Sequence, residues 1–408
     1  MNPYFVFIFS VILIGYILDL IISIVNLRSL DPRLPEEFID VLDGQQYAKS
    51  QNYTRATTAF SMIKETAATV FIIAFILIGG FNWADGLARG FGLGPIATGL
   101  IFTAILLLIS GLVGLPFSVY ATFGIEARFG FNKTTAGTFV LDLLKGIVLT
   151  TLIGGPILVF VLWFFDKGGP WAWLYCWIGV VVAMMVIQLL APVLIMPWFN
   201  KFTPLDDGKL KESVTNYAVK EKFKIKGIYT MDGSRRSTKL NAFFTGFGRF
   251  RRIVFFDTLM EKLSTDEIVA VLAHEMGHYK LRHVFKMLAA SILQMGILFF
   301  ILSRFINNQG LFGAFRMDHV SIYASLIFFG FLYSPISMLL SVIFNIFSRQ
   351  HEFQADRYAL ISTGRPEALI SALKKLSVTN LSNLTPHPLH VFLNYSHPPV
   401  LERIRVFR

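Results

Sequence analysis

Seven long apolar stretches decide what this chain can fold into. They run roughly over 4–27, 65–83, 96–120, 146–165, 171–198, 284–306 and 319–347. A helix crosses the hydrocarbon core of a bilayer with about 20 apolar residues, and in lipid the backbone must satisfy its own hydrogen bonds, so such stretches become helices. Composition agrees: 54% of the residues are hydrophobic and 15% charged, against about 25% charged in soluble domains. The expected fold is a polytopic α-helical membrane protein with seven transmembrane helices. The first stretch lacks a basic leader and a small-residue cleavage site, so it reads as a retained helix and not a signal peptide. Cys176 is the single cysteine and lies in an apolar run, which gives it a packing role and excludes an intrachain disulfide. Asp19, inside the first stretch, should face a polar interior or a partner and not lipid. Pro156, Pro192 and Pro335 should kink or interrupt their helices.

Lysine and arginine set the orientation. The loops after the first, third and fifth stretches are basic, and the fifth, over about 199–286, carries seventeen basic residues. The second and fourth carry only Arg89 and Lys167. This predicts an outside N-terminus and a cytoplasmic C-terminus. Most of the net charge of +11 then faces anionic lipid head groups, and nucleic acid is not an expected partner. The organisation read from this pattern is 1–198 with transmembrane helices 1–5, a cytoplasmic segment 199–283, helices 6–7 over 284–347, and a cytoplasmic segment 348–408.

The chemistry lies in those two cytoplasmic segments. His274-Glu275-Met276-Gly277-His278 is a HExxH sequence. Residues i and i+4 share a helix face, so both imidazoles can reach one ion, with Glu275 beside a water on it. That is the donor set of metal-assisted peptide hydrolysis. Ser264 and Glu267 form a capping box, followed by apolar Ile268, Val271 and Leu272, which places the motif inside a helix. The alternative is a helix bearing two surface histidines. A distant-histidine site of the metzincin type is excluded, since it needs Gly and His where Leu281 and Val284 stand. The third ligand must come from elsewhere, and Glu352 is the best candidate. Asp356, one turn on, can accept the outer N–H of a ligand histidine. His351 competes as a ligand but points about 100° away around the helix. The HExxH helix is expected to run directly into the sixth span and the Glu352 helix to follow the seventh.

Three short strands are expected before that helix: 227–231, 240–248 and 252–256. A strand beside a metal site can hold an extended peptide along its edge. Asn241 is the candidate anchor for such a backbone, with an ordinary hairpin as the alternative.

The segments HEMGH (274–278), HEFQAD (351–356), LNAFFTGFG (240–248) and YSHPPVLERI (395–404) together resemble the type I CAAX prenyl protease family, integral-membrane zinc peptidases of the gluzincin group. The resemblance covers essentially the whole chain. It implies one Zn2+ held by His274, His278 and Glu352, Glu275 as general base, and Asp356 as a supporting acid. It also implies substrate binding at Asn241 and the adjoining Ala242, with His397 and Arg403 near the cleaved bond. The implied fold encloses a water-filled chamber within the helices and adds a small cytoplasmic α/β protease domain. The implied substrate is a peptide or protein ending in a prenylated CAAX sequence. The tail, without a lysine-type retrieval signal, and the compact length point to a bacterial inner-membrane homologue; a eukaryotic one would sit in the endoplasmic reticulum membrane. Three competing readings are a quality-control protease for unmodified membrane proteins, a transporter with a structural zinc site, and an inactive binder of lipidated proteins. The last two find no support: one cysteine cannot build a typical closed zinc site, and the base and ligand candidates are all present.

Overall fold

The computed structural model describes residues 2–245 and 251–407. Among the described residues, seven helices are long and apolar enough to span a membrane: α1 (Pro3–Arg28), α2 (Gly44–Leu77), α4 (Pro95–Phe129), α5 (Ala136–Lys167), α6 (Gly169–Phe199), α10 (His283–Phe305) and α12 (Ile322–Thr363). A short α3 (Gly80–Arg89) follows α2, and α11 (Gln309–Ala314) bridges α10 and α12. Contacts between neighbours close a circuit: α1 meets α2, α2 the end of α4, then α4 meets α5, α5 α6, α6 α10, α10 α12, and α12 returns to α1. Few span residues are buried, at most 17% of the apolar window in any one helix, and large side chains such as Leu108, Leu144, Val182 and Leu339 lie exposed. This is the surface of a lipid-solvated ring.

Proline and helix widening coincide in two of the three expected places. One-turn π segments occupy Thr150–Gly154, just before Pro156, and Ala191–Ile195, which contains Pro192. Proline removes one N–H and clashes with the carbonyl four residues back, and a wider turn relieves both. Pro335 instead sits inside an unbroken α12. Another π segment, Tyr120–Glu126, follows Pro116, a site the sequence reading did not single out. Asp19 is exposed on α1. Cys176 is fully buried, its thiol 3.6 Å from the Val161 carbonyl.

Two expectations about the motif helices are corrected. The HExxH helix does not run into the sixth span. It ends at Lys280, and Arg282 adopts a left-handed φ of 59° before α10 begins. Nor does a separate helix carry Glu352, because α12 continues from the seventh span through Glu352 to Thr363. At about 1.5 Å per residue Glu352 lies about 45 Å along α12 from Ile322, beyond the ~30 Å hydrocarbon thickness.

The remaining elements pack beneath the ring. A four-stranded sheet has the order β1 (Phe202–Pro204), β2 (Gly227–Met231), β4 (Arg252–Phe256), β3 (Ala242–Thr245). β2 and β4 are parallel, and the two edge strands are antiparallel to their neighbours. The strands expected at 227–231 and 252–256 form as read, whereas β1 was missed and the middle strand is described only to Thr245. Gly246, Phe247 and Gly248 of the expected strand lie outside the described residues. Helices α7 (Lys209–Lys220), α8 (Asp257–Lys262), α9 (Thr265–Lys280) and α13 (Pro366–Thr379) surround the sheet, with α14 (Pro388–Asn394) and α15 (Val400–Val406) closing the chain. One core joins them, including Val214, Ile253, Phe255, Leu259, Leu272, Met276 and Leu369.

Candidate metal centre

Two helices build the centre. α9 starts at a complete capping box: the Ser264 hydroxyl accepts from Glu267 N–H, and the Glu267 carboxylate accepts from Ser264 N–H at 2.6 Å. Ser371 and Lys375 of α13 also donate to Glu267, at 2.6 and 2.9 Å, which ties the start of α9 in place. His274 and His278 follow on the face turned towards α12. Between them, a Cβ on Gly277 would lie 3.0 Å from Ala355 Cα and 3.1 Å from its carbonyl oxygen. Only glycine lets the two helices approach this closely, and the approach brings Glu352 under the two imidazoles.

His274 Nε2 is 3.2 Å from His278 Nε2, 3.4 Å from one Glu352 oxygen, and His278 Nε2 is 3.2 Å from the other. A tetrahedral ion bound at ~2.0–2.1 Å separates its ligand atoms by about 3.3 Å, and the nitrogen–nitrogen separation and the approach of each nitrogen to a carboxylate oxygen are of that size. The chemistry of the donors agrees. His274 Nδ1 donates to Asp356 at 2.7 Å, so in the neutral ring Nε2 holds a lone pair pointing at another ring nitrogen. Glu352 Oε2 is buried without a hydrogen-bond partner, which leaves its lone pairs open to an ion. Burial disfavours charge on His274, yet the Asp356 and Glu352 carboxylates outweigh it and push its pKa up to about 9. The pocket favours positive charge at this point. The residues present fit a divalent ion.

Arg403, on α15, forks onto Asp356 through Nε at 2.7 Å and Nη2 at 2.6 Å. Its Nη1 lies 3.5 Å from Glu352 Oε2. Asp356 is fully buried, with oxygens taken by His274 and Arg403, so it meets the reacting atoms only through His274. His397 is largely exposed, with Nε2 3.4 Å from Glu352 Oε1. Beside these groups opens a cavity of ≈670 Å3 lined by His274, Glu275, His278 and Glu352 together with Asn241, Ala242, His397 and Arg403. Glu275 is half-buried at its wall.

β3 forms one rim of the cavity and one edge of the sheet. The Asn241 carbonyl accepts from Phe256 N–H on β4. Antiparallel pairing alternates, so Ala242 and Phe244 turn their N–H and C=O groups to the free edge. The Ala242 N–H is held there by the Asn241 side chain at 2.8 Å. Asn380 fixes the approach to this strand, its amide accepting from Leu240 N–H at 2.9 Å and donating to Leu240 C=O at 3.2 Å.

Sequence reasoning missed Asn380, whose partner lies 140 positions away. It also missed the packing role of Gly277, and it missed His283, five residues past His278 and 3.1 Å from it. A further histidine so near a HExxH sequence was the available signal. His351, the competing ligand, lies outside the cluster and stacks on His283 with ring centroids 4.0 Å apart.

A membrane-spanning ring of helices that carries a HExxH helix against a buried glutamate defines an integral-membrane metallopeptidase. Family models match two consecutive parts of the chain: the CAAX prenyl protease N-terminal region with five membrane helices over residues 23–201, and peptidase family M48 over 204–408. A CAAX prenyl protease 1 homolog of Arabidopsis thaliana is 36% identical over 99% of this chain and 97% of its own length. CAAX prenyl protease 1 of Saccharomyces cerevisiae is 36% identical over 92% of this chain and 88% of its own. The crystal structure of S. mikatae Ste24p superposes with a TM-score of 0.95 at 32% identity, covering 100% of this chain and 99% of that one. The chain belongs to the type I CAAX prenyl protease family, and it is a multi-pass membrane metalloendopeptidase.

Proposed function

We propose that the protein is a zinc endopeptidase that removes the terminal residues of prenylated CAAX-type proteins or peptides. The observation that carries this reading is the cluster of His274, His278 and Glu352, with 3.2 Å between the two Nε2 atoms and 3.2–3.4 Å from each to one oxygen of the carboxylate, at the wall of a cavity rimmed by a free strand edge. Two imidazoles and one carboxylate favour zinc over harder divalent ions. When bound, zinc supplies a Lewis acid for the scissile carbonyl and acidifies its water. Glu275 takes the proton of the attacking water and delivers it to the leaving amine. His397 and the Nη1 of Arg403 donate towards the carbonyl oxygen as it gains negative charge. The edge of β3, through Ala242 and the side chain of Asn241, aligns the extended substrate. Asp356 orients His274 and neutralises Arg403.

The remaining assignments belong to the same reading. Segments 199–283 and 348–408 form the cytoplasmic protease part, between and after the spans of 1–198 and 284–347. The basic odd-numbered loops support a cytoplasmic site and an outside N-terminus. The ring of contacts among the spans supports an enclosed, hydrated chamber. The membrane is a bacterial inner membrane, or the endoplasmic reticulum membrane if the source is eukaryotic.

The test is mass spectrometry of a farnesylated CAAX peptide incubated with purified protein, beside metal-loaded Glu275→Gln. Release of the intact terminal tripeptide by wild type alone, lost on chelation, is the expected result. A metal-loaded wild type that leaves this peptide intact but cuts unmodified membrane proteins would overturn the substrate assignment in favour of quality control.

A further inference from the structure

The two histidines of the centre are supported differently. His274 leans on a carboxylate. The outer nitrogen of His278, Nδ1, instead lies 3.1 Å from Nδ1 of His283, and His283 Nε2 lies 2.9 Å from Gln354 Oε1. His283 is 2% exposed, and His351 stacks on its ring at an interplanar angle of 9°. The break at Leu281 and Arg282 makes this possible. On an uninterrupted helix, a residue five positions on would point about 140° away from His278; the left-handed Arg282 swings His283 back.

A contact between two Nδ1 atoms holds one proton, so neutral rings allow two arrangements. In the first, His278 donates from Nδ1 to His283, His283 donates from Nε2 to the Gln354 carbonyl, and His278 Nε2 keeps its lone pair. In the second, Gln354 turns its amide to donate, both histidines change tautomer, and His278 Nε2 carries a hydrogen. Only the first can bind an ion through Nε2. The observed position of Gln354 Oε1 belongs to the first.

We propose that His283 and Gln354 are positioning residues that hold His278 in its metal-competent tautomer, with His351 steadying the His283 ring. This rests on the reading of His278 as a metal ligand.

The test is zinc affinity in detergent solution, measured by competition with a chromophoric chelator, with the melting temperature of each metal-free variant recorded alongside. His283→Leu should weaken binding about 10–100-fold, the usual cost of losing a group behind a metal ligand. His283→Asn, whose amide oxygen stands near the former Nδ1 and accepts a hydrogen bond, should recover most of that loss. Gln354 is exposed, so its variants should fold normally: Gln354→Met should weaken binding, while Gln354→Glu, which only accepts, should retain it. Wild-type affinity in both His283→Leu and Gln354→Met would overturn the inference, as would a His283→Asn variant as weak as His283→Leu. If His283→Leu fails to fold, the Gln354 pair decides. Wild type that binds one ion and loses it in Glu352→Ala keeps the metal reading standing whichever way this series falls. Wild type that binds none overturns both.

Discussion

The two ends of α12 are stabilised in opposite ways. Near its start, Phe328 stacks on Phe315 at 3.9 Å, and Phe81 meets both edge-on at 5.3 Å. Ile8, Phe102 and Leu162 complete that apolar plug. About 44 Å further along the helix from Tyr323, Glu352 and Asp356 sit buried among His274 and Arg403. The plug tolerates exchange, because apolar packing asks for volume and shape. The metal end does not, because each buried charge there needs a particular partner at a particular atom. One helix therefore anchors a bundle at one end and presents chemistry at the other. Substitutions at the two ends should separate stability from turnover.

The largest separation is expected for Glu275→Gln. It should lower kcat/KM about 10²–10⁴-fold, with metal content by elemental analysis and melting temperature both unchanged. Phe328→Ala is the converse. It should cost about 3–5 kcal/mol of stability, read by denaturation in micelles, with turnover per folded molecule unchanged. Asp356→Asn should break the contrast by touching both properties. Zinc affinity should fall about 10–100-fold, and stability should fall too, since Arg403 loses the carboxylate its guanidinium forks onto.

The smallest effects give the sharpest pairing. Gly99 and Gly277 both let a helix approach α12. A Cβ at Gly99 would lie 2.9 Å from Tyr323 Cβ, and one at Gly277 would lie 3.0 Å from Ala355 Cα. Each Gly→Ala change should cost about 1–3 kcal/mol. Zinc affinity should fall only in Gly277→Ala, and equal losses of affinity in the two variants would erase the distinction between the ends.

How far the sequence could be read follows the same division. The spans were legible because lipid demands long apolar runs, and the HExxH pair because i and i+4 geometry is local. Helix boundaries were less legible. α2 begins at Gly44, capped by Asp43, far ahead of its apolar stretch, because polar Gln and Thr residues continue a helix outside lipid as readily as apolar ones. The break between α9 and α10 was invisible because its left-handed residue is an arginine and not a glycine. Asn380 with Leu240, and His283 with Gln354, pair positions 140 and 71 apart. No local pattern announces such pairs. β1 is three residues long and carries too little alternation to be seen.

The central claim is a single ion held by two imidazoles and one carboxylate drawn from α9 and α12. X-ray absorption at the zinc edge of the purified, zinc-loaded protein tests it most directly. The account predicts nitrogen and oxygen neighbours at ~2.0–2.1 Å, outer-shell scattering from two imidazole rings, no sulfur, and loss of the signal in Glu352→Ala. A spectrum with sulfur or more than two imidazoles, or one unchanged in Glu352→Ala, would contradict it.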